Sequence, residues 1–144
     1  MVLEGDGLRL ELPASWHGQL VSRSPHLPTL QAASFALDPE DEELGPRSTA
    51  AMAPGDCFLA LIEYLPGSGI EPGRVPFHEA GLPLPLEPGA FSPELEGRAV
   101  MERTFTQAGR PLCLHVVIAG TRIDRRRALP VLDRILGSLR VEER

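Results

Sequence analysis

No lysine occurs among the 144 residues; all 14 basic residues are arginine. That absence excludes a P-loop lysine, a Schiff-base lysine and a Ser-Lys dyad, because each needs a primary amine that guanidinium cannot imitate. An arginine-rich coding bias explains it more simply than selection at any one site. Cysteine is scarce, with Cys57 and Cys113 alone and no Cys-x-x-Cys spacing, so no metal or redox motif is present. The longest apolar runs fall far short of the ~20 residues of a membrane span. The opening Met1-Val2-Leu3-Glu4-Gly5-Asp6 lacks the basic start and apolar stretch of a secretory signal. A cytoplasmic location is slightly favoured on that ground, and a trimmed chain stays open. Positive charge is also in deficit, with 20 acidic residues and a net charge of -6, which disfavours nucleic acid as a partner. Gly-x-Gly-x-x-Gly, Gly-x-Ser-x-Gly and His-Glu-x-x-His are all missing, so no dinucleotide, hydrolase or zinc-protease fingerprint can be assigned. No cofactor, metal site or catalytic residue is expected.

What is there reads as one acidic, soluble domain over 1–144. Hydrophobic residues at 42% and charged residues at 24% are ordinary for a globular chain. Leu8, Leu10 and Leu12 alternate with Arg9 and Glu11, the period of a half-buried strand, which Pro13 ends. Further strands are expected over 19–23 and 29–37, with a turn at Pro25 and Pro28 between them. The acidic run 38–43 reads as an exposed loop. Residues 57–65 and 112–119 are apolar on both alternations, as central strands covered on two sides must be. Residues 99–106 and 112–119 form a hairpin through Gln107-Ala108-Gly109-Arg110. Leu129, Leu132, Ile135, Leu136 and Leu139 recur at helical spacing behind Asp124, predicting an amphipathic helix over 124–139. Pro130 conflicts with its second turn, so the regular helix is expected to begin nearer Leu129. The fold class that follows is α+β: an antiparallel sheet of about six strands with the C-terminal helix on one face.

The most unusual stretch is 66–97, where 32 residues carry seven prolines and six glycines and no long regular element can form. Phe77, Leu82, Leu84, Leu86 and Phe91 give it an apolar side. That side either closes over the sheet as core or offers a patch to a partner.

Leu12-Pro13-Ala14-Ser15-Trp16 at a strand end, Ala108-Gly109-Arg110-Pro111-Leu112 in a hairpin, and the run from Val131 to Leu139 together resemble a family of uncharacterised actinobacterial proteins. More distantly, the element order is similar to the fold of the PsbP subunit of photosystem II and the Mog-type Ran-binding proteins. That resemblance implies a scaffold of accessory or binding proteins, with no family catalytic residues to carry over. The Pro/Gly-rich segment stands where such folds often place extra helix or strand.

Candidate site residues are each weighed against a plain structural role. Cys57 and Cys113 read first as buried thiols acting as small hydrophobes, with a disulfide open if their strands are neighbours. Cys113 and His115 point the same way from one strand about 7 Å apart, too far for a direct nucleophile–base contact. His78 and His115 are commoner as incidental histidines than as ligands. The carboxylates of 40–43, Glu94 and Glu96 are usually solvated. Arg122, Arg125, Arg126 and Arg127 form the one basic cluster, and arginine at a helix start opposes the macrodipole. It binds an anionic partner or a carboxylate-bearing ligand, or else pairs with the acidic loop or stays solvated. The leading expectation is a noncatalytic binding or accessory module facing a protein partner, with a homodimer open. The alternative is a ligand-binding protein or enzyme with a pocket between the sheet and the 66–97 loop. Phe77, His78, Phe91, Cys113, His115, Arg125 and Arg126 are the residues on which these readings turn.

Overall fold

The structure is a computed structural model that describes residues 1–22, 29–64, 68–94 and 97–143. Nine strands and two helices follow one another as β1 (Val2–Gly5), β2 (Leu8–Glu11), β3 (His17–Val21), β4 (Thr29–Ala33), α1 (Pro46–Thr49), β5 (Cys57–Glu63), β6 (Ser92–Glu94), β7 (Arg98–Gln107), β8 (Arg110–Ala119), α2 (Arg122–Gly137) and β9 (Arg140–Val141), among the described residues. Six strands form one antiparallel sheet in the order β3-β4-β5-β8-β7-β6, and three form a second in the order β1-β2-β9. The α+β class, the six-stranded antiparallel sheet and the C-terminal helix agree with the sequence reading.

Membership of the large sheet differs from that reading. The strand at Leu8 belongs to the small sheet, and the sixth strand of the large one, β6, comes out of the Pro/Gly-rich segment. A hairpin partner, β1, precedes Leu8, turned by Asp6 and Gly7, both at positive φ (50° and 78°). Asp-Gly is the favoured pair for such a two-residue turn, because its backbone twist matches the strands it joins. Ala108-Gly109 makes the same kind of turn between β7 and β8, at φ 52° and 72°. The turn expected at Pro25–Pro28 lies outside the described residues, as does Glu96.

Strand alternation separates two faces. Leu30, Ala32, Cys57, Leu59, Leu61, Met101, Phe105, Leu112, Leu114, Val116 and Ile118 point to the inner face. There they pack with Leu129, Leu132, Ile135 and Leu136 of α2 and with Leu3, Leu8 and Leu10 of the small sheet. On the outer face Ala33, Phe58, Ala60 and Val117 are buried beneath Phe35, Leu37 and Met52. Both faces of β5 and β8 are therefore covered, as their two-sided apolarity requires.

The acidic run does not stand free as expected. Asp41 is buried, and its carboxylate accepts from the backbone amides of Glu42, Arg47 and Ser48. The carbonyls of Glu42 and Glu43 accept from the buried Gln31 side chain on the outer face. Gly45, at φ 68°, lies so close to the Phe58 ring that a Cβ there would collide with it.

Helix α2 runs unbroken through Pro130, which corrects the expected start near Leu129. Thr121 and Asp124 form a capping box at its first turn, and Pro130 lies on the exposed side. A proline there costs one backbone hydrogen bond, while the buried leucines on the other side hold the helix to the sheet.

Residues 68–93 wrap the β7 edge of the large sheet. On the outer face, the hydroxyls of Thr104 and Thr106 donate to the carbonyls of Pro76 and Phe77. The Phe77 ring meets Tyr64 of the strand end beyond β8 edge to face, with centroids 5.2 Å apart. At the edge itself Ala80 bridges Thr106 in parallel. Beyond it, Leu86 and Phe91 join the inner core, and the Leu86 amide donates to Asp133 of α2 at 2.8 Å. Phe77 and Phe91 are only 2% and 7% exposed, so the apolar side of this segment is core at both positions.

Candidate functional site

Where the wrapped segment passes α2, the two do not close completely. A cleft of about 590 Å3 lies between Pro88, Gly89, Phe91 and Pro93 on one wall and Arg122, Arg125, Arg126 and Leu129 on the other. Helical spacing aligns the second wall, since positions 122, 125, 126 and 129 recur at the three- and four-residue steps of one helix face. The first wall is a single 3-10 turn, Pro88–Ala90, running into β6. The Leu86–Asp133 hydrogen bond and the burial of Phe91 fix it against the helix. The volume falls within the range of small-molecule sites.

Three guanidinium groups and no carboxylate line this cleft among the described residues. The Nε of Arg125 is buried without an acceptor, one of three such side-chain atoms among the described residues, with Thr29 Oγ1 and Glu79 Oε2. An unmet buried donor costs about 1–3 kcal/mol, and more when charged. The acidic loop does not relieve the cluster: it sits on the outer face, where Glu40 meets Arg47 at 4.0 Å, while α2 covers the inner face. Part of the first turn of α2 is satisfied within the helix. The Thr121 amide donates to Asp124, the Asp124 amide to Thr121 Oγ1 and the Arg125 amide to the Thr121 carbonyl. Whatever the cleft holds meets the side chains of Arg122, Arg125 and Arg126.

The remaining predicted residues lie elsewhere. Cys113 and His115 share the outer face, as their spacing requires, yet each has another partner. His115 Nδ1 lies 3.1 Å from Glu102 Oε1, and the Cys113 thiol donates to the Leu114 carbonyl at 3.9 Å. Burial pushes the Cys113 thiol up to about 11, with nearby Glu102 adding to the rise. A thiol that holds its proton at neutral pH is a poor nucleophile. Burial likewise raises Cys57 to about 12, with Asp56 contributing. Cys57 faces inward and Cys113 outward on adjacent strands, and both are free, so the disulfide left open by the sequence is not formed. His78 is exposed beside Phe77 on the wrapped segment. Among the described residues, no group of three His, Cys, Asp or Glu side chains could hold a metal ion, and no helix is long and apolar enough to cross a membrane.

Two features escaped the sequence reading. The arginine cluster was visible, but its apolar counter-wall of Pro88, Phe91 and Pro93 was not, because nothing in the spacing reveals that residues some 30 positions apart face each other. The second is a buried ion pair. Arg110 Nη2 and Nε donate to Glu63 Oε1 and Oε2 at 2.7 and 3.0 Å, with both side chains 3% exposed. Arg110 also donates to the carbonyls of Asp6 and Glu142. It thereby ties the β1–β2 turn and the chain after β9 to the large sheet.

Comparison with protein families, with curated proteins and with solved structures finds no match. The resemblance drawn from the element order gains no support from them.

Proposed function

We propose that this protein is a noncatalytic binding module whose ligand sits in the cleft between α2 and the Pro88–Pro93 wall. The observation that carries the reading is a ligand-sized cleft lined by Arg122, Arg125 and Arg126, with no acidic residue among its described lining residues. Its described lining consists of arginine, proline, glycine, phenylalanine and leucine, which offer charge and shape and include no histidine, cysteine or carboxylate. That favours binding over catalysis. Phe91 takes part as a wall of the cleft, not as an exposed patch for a protein partner. The site also differs in place from the pocket anticipated between sheet and loop: the helix forms its second wall.

The test is the thermal midpoint of the purified protein across a panel of anionic and neutral metabolites. A ligand at about 100 times its dissociation constant adds about 2.7 kcal/mol, a shift of several degrees for a chain of this size. The expected result is a shift given by anionic compounds and lost in the Arg125→Gln/Arg126→Gln variant. A shift that survives both substitutions places the ligand elsewhere and ends the reading.

A further inference from the structure

We infer that the ligand of this cleft is a small phosphate monoester carried on an apolar body, an inference that rests on the cleft being the binding site. A carboxylate brings one negative charge and two oxygens, which a single guanidinium fork can saturate. Three guanidiniums line this cleft, with no acidic side chain among its described lining residues. A monoanion would leave the repulsion between the others unrelieved. A phosphate monoester brings roughly -1.5 to -2 charges and three acceptor oxygens, and so can engage several forks together. One of the three, Arg125, has an Nε that is already desolvated and lacks an acceptor.

The apolar body follows from the rest of the lining. Phe91, Leu129, Pro88 and Pro93 present carbon to the same space. A bare phosphate would leave most of about 590 Å3 to water. An extended peptide is disfavoured by the neighbouring edge. Strand β6 is three residues long with Pro93 at its centre, and short strands and proline both blunt an edge against strand addition. Recognition therefore rests on side chains, which suits a small molecule.

Calorimetric titration of the full chain with phenyl phosphate, inorganic phosphate, benzoate and benzyl alcohol tests this, with the Arg125 Nε–Hε resonance followed by NMR. Phenyl phosphate is expected to bind at least about tenfold more tightly than each of the others, to move that resonance, and to weaken about tenfold or more in Arg125→Gln. The Arg122→Gln/Arg126→Gln variant gives a second reading should Arg125→Gln fold poorly, and is expected to weaken phenyl phosphate likewise. If benzoate or benzyl alcohol moves the Arg125 resonance and binds as tightly as phenyl phosphate, the ligand class is wrong while the cleft stands. If inorganic phosphate binds as well as the ester, the apolar body is refuted. If none binds up to about 10 mM, both the class and the cleft fall. Phosphatidylglycerol vesicles distinguish the other source of the same chemistry: binding to them without binding of phenyl phosphate would overturn the small molecule in favour of a lipid surface.

Discussion

Arg110 and Glu63 carry opposite charges into a place where both side chains are 3% exposed. Desolvating two ions costs several kcal/mol each, so the pair is tolerable only because its hydrogen bonds are bidentate and the spare guanidinium donors reach backbone carbonyls. Removing one partner leaves the other charge buried. Arg110→Ala and Glu63→Ala are each expected to lower stability by about 3–5 kcal/mol, and the double variant Arg110→Met/Glu63→Leu by less than the two summed. Urea unfolding of the three variants measures it, and additive losses would mean that the two charges do not depend on each other. Nothing in the sequence marked this pair, because its members stand 47 positions apart and each ends an otherwise apolar strand. The shared face of Cys113 and His115 was legible, since a period of two settles it from the residues alone. The partner of His115, Glu102, stands directly opposite it in the β7–β8 hairpin.

Among elements, β5, β8 and the hairpin leading into β8 were legible because their alternation and turn residues agree with their final places. Helix α2 was legible in its buried leucines but not across Pro130. A local hydrogen-bond deficit argues for a break, and the burial of one whole helix face outweighs it. The wrapped segment was not legible, because its apolar residues follow no period and are set by the sheet edge they cross. The acidic loop was misread for a related reason: five acidic side chains suggest solvent, while one of them caps a helix. Burial alone would raise the Asp41 pKa, yet hydrogen bonds from the Ser48 side chain and from the amides of Arg47, Ser48 and Glu42 outweigh it and hold the carboxyl below its usual value. A carboxyl with a depressed folded pKa adds stability that is present above its unfolded pKa and lost as pH falls through the folded one. Asp41→Asn is accordingly expected to lower the thermal midpoint at pH 7 and to flatten its decline between about pH 5 and 3. A decline as steep as that of the unsubstituted protein would assign the acid sensitivity to other groups.

At the scale of the molecule, the large sheet separates two kinds of charge. The acidic loop lies over its outer face, and the arginines of α2 lie on the inner side. A net charge of -6 thus coexists with a cluster of arginines at one end of the helix. The wrapped segment supplies one wall of the cleft and the helix the other, so an occupant bridges two stretches of chain otherwise joined there by the Leu86–Asp133 hydrogen bond and the core contacts of Leu86 and Phe91. Occupancy then becomes a fastener: cleavage by a protease around Pro83–Gly89, and amide exchange there, should slow in proportion to ligand concentration. Protection that appears equally around Asp38–Glu43, on the far face, would instead report a general gain in stability.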